Sequence, residues 1–150
     1  MIESAESRKK IERIELGEDI ALISTFKDSR YECDLILQSG GNIFDLRSFL
    51  PTNHRFRDSG EWAYIEGQKE VRTDLREIHR DKRNFFTLLH EIGHVVAIVR
   101  HGEEYSQKTT AAQYSSGKEN YELVVADERN AWAEALQMAR TLRAEGFDVF

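Results

Sequence analysis

Cysteine and proline each occur once among the 150 residues. The lone Cys33 excludes an internal disulfide framework. Positive charge is also short: 21 Lys plus Arg stand against 27 Asp plus Glu, a formal net charge of -6. Without a basic excess the chain lacks the electrostatic capture of phosphate that general nucleic-acid binding relies on, so no direct nucleic-acid partner is expected. A long hydrophobic run is missing too. The most apolar stretch, Phe85 to Val99, falls short of the roughly 20 residues of a membrane span and carries His90, Glu91 and His94 near its middle. The amino terminus, MIESAESRKK, has no apolar segment and small-residue cleavage site of the kind a secretory leader needs. These absences together predict a cytoplasmic protein with no membrane partner.

What is there suffices for one folded unit. A chain of this length buries roughly 70% of its unfolded surface, so a single domain spanning residues 1–150 is expected. Residues 1 to 12 are polar and of mixed charge, and read as a frayed end or a short helix. Up to Leu75 the chain alternates short apolar runs with turn residues. IALISTF and YECDLILQS flank the polar stretch Lys27 to Arg30 as a hairpin, and Gly40 and Gly41 close the second run. EWAYIE and KEVRTDL, separated by Gly67 and Gln68, read as two further strands. The period then becomes helical. Asp81 is placed to cap a helix that runs through NFFTLLHEIGHVVAIVRH and stops at Gly102. Residues 103–117 have no apolar periodicity and read as an irregular, functional or mobile connection. A last helix spans Lys118 to Ala144. Strands first and long helices after predict an α+β fold.

The chemistry concentrates in His90-Glu91-Ile92-Gly93-His94. Four residues make slightly more than one helical turn, so both imidazoles project from one face and can share a Zn²⁺ ion, with Glu91 rotated beside it as general base. The blander alternative is a surface helix with two unrelated histidines. Against that alternative, apolar residues surround the motif on nearly every side, and buried ionisable groups need partners.

A catalytic zinc site takes three protein ligands, so a third must come from elsewhere. A further histidine in the HExxHxxGxxH register is absent, because Ala97 and Arg100 occupy those positions. His101 is one residue out of register and is more simply a cation at a helix end. On the C-terminal helix Glu128 has apolar residues at every position three, four and seven away: Tyr121, Val124, Val125, Ala131, Trp132 and Ala135. That pattern puts a carboxylate in a core-facing stripe, where a metal or a buried arginine from residues 80–83 would have to compensate it. With HExxH on the preceding helix, Glu128 is the expected third ligand.

The run from Arg83 to His94, Arg-Asn-Phe-Phe-Thr-Leu-Leu-His-Glu-Ile-Gly-His, followed by Glu128-Arg129-Asn130-Ala131, resembles the ImmA/IrrE family of gluzincin-type metallopeptidases. The family carries an RxxFTxxHExGH-like segment and a later ExxA motif whose glutamate is the third zinc ligand. Over about residues 60–140 the resemblance implies a small zincin-like domain: antiparallel strands, an HExxH helix and a glutamate-ligand helix. It further implies zinc on His90, His94 and Glu128, Glu91 as catalytic base, and a protein substrate of the helix-turn-helix repressor kind. The N-terminal 60 residues show no family motif, and the chain between His94 and Glu128 looks like an insertion. One of the strands EWAYIE and KEVRTDL is the expected substrate-pairing strand. Tyr105, Tyr114, Tyr121 and His79 are the polar side chains open to oxyanion stabilisation, with none assigned. The competing function is a protein-binding module whose zinc is non-catalytic.

Overall fold

The computed structural model describes residues 11–27, 31–114 and 116–149. The expectation for residues 1–10 therefore lies outside the described residues, while Ile11 and Glu12 open a strand rather than a helix. Among the described residues seven strands lead and four α-helices follow: β1 (Ile11–Gly17), β2 (Ile20–Phe26), β3 (Glu32–Ser39), β4 (Asn42–Asp45), β5 (Arg55–Asp58), β6 (Ala63–Ile65), β7 (Glu70–Thr73), α1 (Leu75–Arg80), α2 (Asn84–His101), α3 (Glu103–Gln113) and α4 (Lys118–Ala144). The chain is thus mixed α+β.

The sheet order is β1-β2-β3-β5-β7-β6, with β4 paired to β3 beside that path. Strand β3 shows the period of two: Cys33, Leu35 and Leu37 are buried and their neighbours are not. It pairs antiparallel with β2 from Ala21↔Gln38 to Phe26↔Cys33, as the hairpin reading requires. β6 and β7 are antiparallel, as their separation by a short turn suggests. One pair departs from the expected antiparallel pattern. β5 and β7 run parallel, with Phe56 opposite Val71, because the chain between them leaves the sheet and returns through the edge strand β6.

Leu22, Leu35, Leu37, Phe56 and Val71 from the sheet meet Leu88, Leu89 and Ile92 of α2 and Met138 and Leu142 of α4 in one core. α4 has the bounds its periodicity predicts. α2 ends where expected, at Gly102, whose φ of 90° suits a residue without Cβ. Its start is a correction. The regular helix opens only at Asn84, after Arg83 in helical conformation, and Asp81, in extended conformation, caps the turn that leads into it by accepting a 3.0 Å hydrogen bond from the Arg83 backbone N–H. A second correction concerns residues 103–117, of which Glu103–Gln113 form α3. Its buried positions are Ser106, Thr109 and Ala112, too small and polar to register as an apolar stripe. Among the described residues no helix is long and apolar enough to cross a membrane.

Candidate metal centre

α2 and α4 pack directly on each other, and their closest approach is made possible by Gly93. A Cβ on Gly93 would fall on the backbone carbonyl oxygen of Ala131. This contact places the residue between the two histidines one turn from Glu128, and the three predicted ligands converge. The Nε2 atom of His90 lies 2.8 Å from Oε2 of Glu128, and Nε2 of His94 lies 3.2 Å from Oε1 of the same carboxylate. One candidate donor atom from each residue falls within 4.8 Å of the others. A tetrahedral zinc ion with ligands at about 2.0–2.2 Å sets neighbouring donors roughly 3.3–3.6 Å apart. The three side chains suit such an ion in number and chemistry, and donors within 4.8 Å of one another reach its spacing by small side-chain movements.

The surroundings of Glu128 correct the sequence expectation. Its side chain is 45% exposed, and of its apolar neighbours Tyr121, Val125 and Trp132 are exposed while Ala131 and Ala135 are buried. The stripe does not face the core. Nor does an arginine from residues 80–83 reach Glu128, since Arg80 pairs with Glu77 and Arg83 with Asp81. The buried carboxylate of α4 is the preceding Asp127, at 5% exposure.

Asp127 accepts a 2.6 Å hydrogen bond from the Tyr105 hydroxyl, which in turn accepts one of 3.1 Å from the Asn130 amide. Its other oxygen lies 3.6 Å from Nδ1 of His94, too long for a hydrogen bond but on the ring nitrogen opposite the one that faces Glu128. Burial pushes the Tyr105 phenol up to about 12, with Asp127 adding to the shift and Asn130 opposing it, so Tyr105 remains a donor. A carboxylate behind a ligating histidine fixes ring orientation and tautomer. Asp127→Asn is expected to weaken zinc binding about 10- to 100-fold, measured by competition with a chromophoric chelator; unchanged affinity would remove Asp127 from the centre. On the other side, the His90 ring stacks on Trp132 at 4.2 Å between centroids. Burial and the adjacent His94 push the His90 pKa down, against the pull of Glu128, which favours the neutral imidazole that binds metals.

Glu91 is buried and stands outside the ligand set, its carboxylate 3.8 Å from Nδ1 of His90. Burial raises its pKa above the ordinary carboxylate range; Glu128 adds to the shift and His94 opposes it. Glu91, His94 and Glu128 open onto a cleft of about 600 Å³ whose far wall is β6 with Glu66 and Gly67, and whose third side is α3. Ser106 of α3 donates a 2.6 Å hydrogen bond to Glu66, so the helix is tied to both walls, through Glu66 and through Asp127. Among the described residues β6 ends the sheet path opposite β1 and pairs with β7 alone. Of the four candidate oxyanion donors, Tyr114 lines this cleft, whereas Tyr105 is engaged by Asp127. His79 belongs to a different groove, with Arg13, Arg76 and Arg80, and Tyr121 is exposed. His101 is exposed, its ring tilted 35° against that of Tyr105 at 4.8 Å between centroids, and it is not one of the three converging ligands.

Asp127, Asn130 and the stacking role of Trp132 escape sequence reasoning. Asp127 has fewer apolar neighbours along its own helix than Glu128, because its partners sit on α2 and α3. Comparison with protein-family models, with curated proteins and with solved structures found no match for this chain.

Proposed function

We propose that the chain is a zinc-dependent endopeptidase of the HExxH…E type, similar to the ImmA/IrrE family, that hydrolyses a specific cytoplasmic protein of the helix-turn-helix repressor kind. One observation carries this reading: Glu91, a carboxylate outside the His90, His94 and Glu128 ligand group, lines the same cleft as two of those ligands and the edge strand β6. His90, His94 and Glu128 would hold the zinc ion, which supplies electrophilic polarisation of a carbonyl and lowers the pKa of a water. Glu91 accepts the proton of the attacking water and passes it to the leaving amine. Its raised pKa suits both halves of that task, since the carboxylate must take the proton and then release it. β6 pairs with the backbone of an extended substrate and holds the scissile bond over the cleft.

A non-catalytic zinc module is the second reading, favoured by nothing in the cleft: such a site needs ligands but not a buried base beside them. Zinc-loaded protein incubated with candidate helix-turn-helix repressors, with and without chelator, separates the two. The expected result is one zinc per chain and a single cut, lost on chelation and restored by zinc, as read by intact-mass spectrometry. Tight zinc without cleavage of any repressor would favour the binding module.

A further inference from the structure

The three arginines of α4 differ from the others. Every other described arginine has an ion pair, from Arg13 with Glu15 to Arg100 with Glu134. Arg129, Arg140 and Arg143 have none among the described residues. They are exposed, and they share a face of α4 with two large apolar side chains. Arg129, Trp132, Leu136, Arg140 and Arg143 follow a three-four-four-three spacing, which stays within about 80° of arc on a helix of 3.6 residues per turn. Trp132 is 39% and Leu136 52% exposed. The face spans about 21 Å at 1.5 Å per residue.

Two contacts join this face to the metal centre. Trp132 stacks on His90 at 4.2 Å and on Phe86 at 5.3 Å between ring centroids. Beyond Phe86 a groove of about 400 Å³ continues between Leu136, Ala139, Arg140, Arg143 and Asp148. The single acid in that lining leaves it net basic, on a chain whose formal charge is -6. Unpaired guanidinium groups on both flanks of exposed apolar side chains match a partner that presents carboxylates around an apolar stripe. The three-four spacing is that of one helix seated against another.

We propose that this face of α4 docks an acidic amphipathic helix of the protein substrate, holding it beside the metal centre without itself being cut. The identification of the partner as substrate rests on the peptidase reading; the docking chemistry does not. Leu136 and Trp132 receive the apolar stripe, and Arg140 and Arg143 clamp the carboxylates at its end. Association is accordingly steered by charge and weakens with salt.

The test uses three fluorescein-labelled 21-residue peptides: a helix of Leu and Glu with one apolar face, its Leu and Lys counterpart, and the Glu peptide with Ser in place of Leu. Anisotropy titrations against the full chain, run with zinc and with chelator, are expected to show the Leu-Glu peptide binding at least tenfold tighter than either other peptide. The Arg140→Glu, Arg143→Glu double variant should reverse the order of the two amphipathic peptides, and Leu136→Asp should weaken the Leu-Glu peptide tenfold or more. All three positions are exposed, and circular dichroism checks that each variant is folded. If the Leu-Glu peptide binds no tighter than the Leu-Lys peptide, including the case in which neither binds, the docking face is refuted. The same holds if charge reversal leaves the order unchanged. Selective peptide binding by a chain that cuts no candidate repressor would leave the docking face standing and remove the peptidase; zinc-dependent cleavage of a repressor without selective peptide binding would do the opposite.

Discussion

Glu91→Gln is expected to lower kcat/KM for the cut by about 10²- to 10⁴-fold, the usual contribution of a positioned general base. At 1.36 kcal/mol per factor of ten this is about 3 to 5 kcal/mol of transition-state stabilisation. Zinc stoichiometry should stay at one, because Glu91 is outside the His90, His94 and Glu128 group. Glutamine keeps the size of the side chain and removes the group that accepts the proton, so the fold and the metal are preserved while the proton transfer is lost. Metal analysis and cleavage kinetics on the same preparation read both halves. Loss of zinc would mean that Glu91 supports the metal rather than the water, and undiminished cleavage would place the base elsewhere in the cleft. Glu128→Ala gives the complementary pattern: with one of three ligands gone, zinc and cleavage should fall together.

Much of this site is legible in the sequence because it depends on helical spacing. The four-residue interval puts His90 and His94 on one face whatever surrounds them, and α2 and α4 carry enough apolar periodicity to reveal their extents. α3 does not, because Ser106, Thr109 and Ala112 face inward at helical spacing without being apolar in the main. β4 and β5 are four residues long, and β5 buries Phe56 alone, too little for an alternation to register. The parallel pairing of β5 with β7 is fixed by the sheet's return path, which no local pattern encodes. Glu128 is the instructive case. Its apolar neighbours identify it, yet Tyr121, Val125 and Trp132 are exposed. A stripe of apolar residues marks a face that has something to contact; whether that is the core or a partner depends on what the other elements leave uncovered.

The same convergence of helices gives Gly93→Ala a large expected effect, with a sign opposite to the usual one. In an ordinary helix interior, replacing glycine by alanine stabilises by about 1 kcal/mol, since the methyl group restricts the unfolded chain and shields the backbone. Here the added Cβ would meet the carbonyl oxygen, carbonyl carbon and Cα of Ala131, all of them backbone atoms that no rotamer change can move aside. α2 and α4 would have to separate. Overpacking of this kind costs about 1–3 kcal/mol even where side chains can give way, so a net destabilisation of about 2–3 kcal/mol is expected against a rigid backbone. For a chain of this length that lowers Tm by roughly 4–12 °C. The separation also draws Glu128 away from His90 and His94, whose nitrogens lie 2.8 and 3.2 Å from its carboxylate, so zinc affinity should fall with stability. Calorimetry of the metal-free variant isolates the packing cost, and a chelator competition reads the ligand geometry. A variant at least as stable as the parent that bound zinc equally well would show that the helices cross with room to spare. The close approach at Gly93 would then be no part of how the centre is held together.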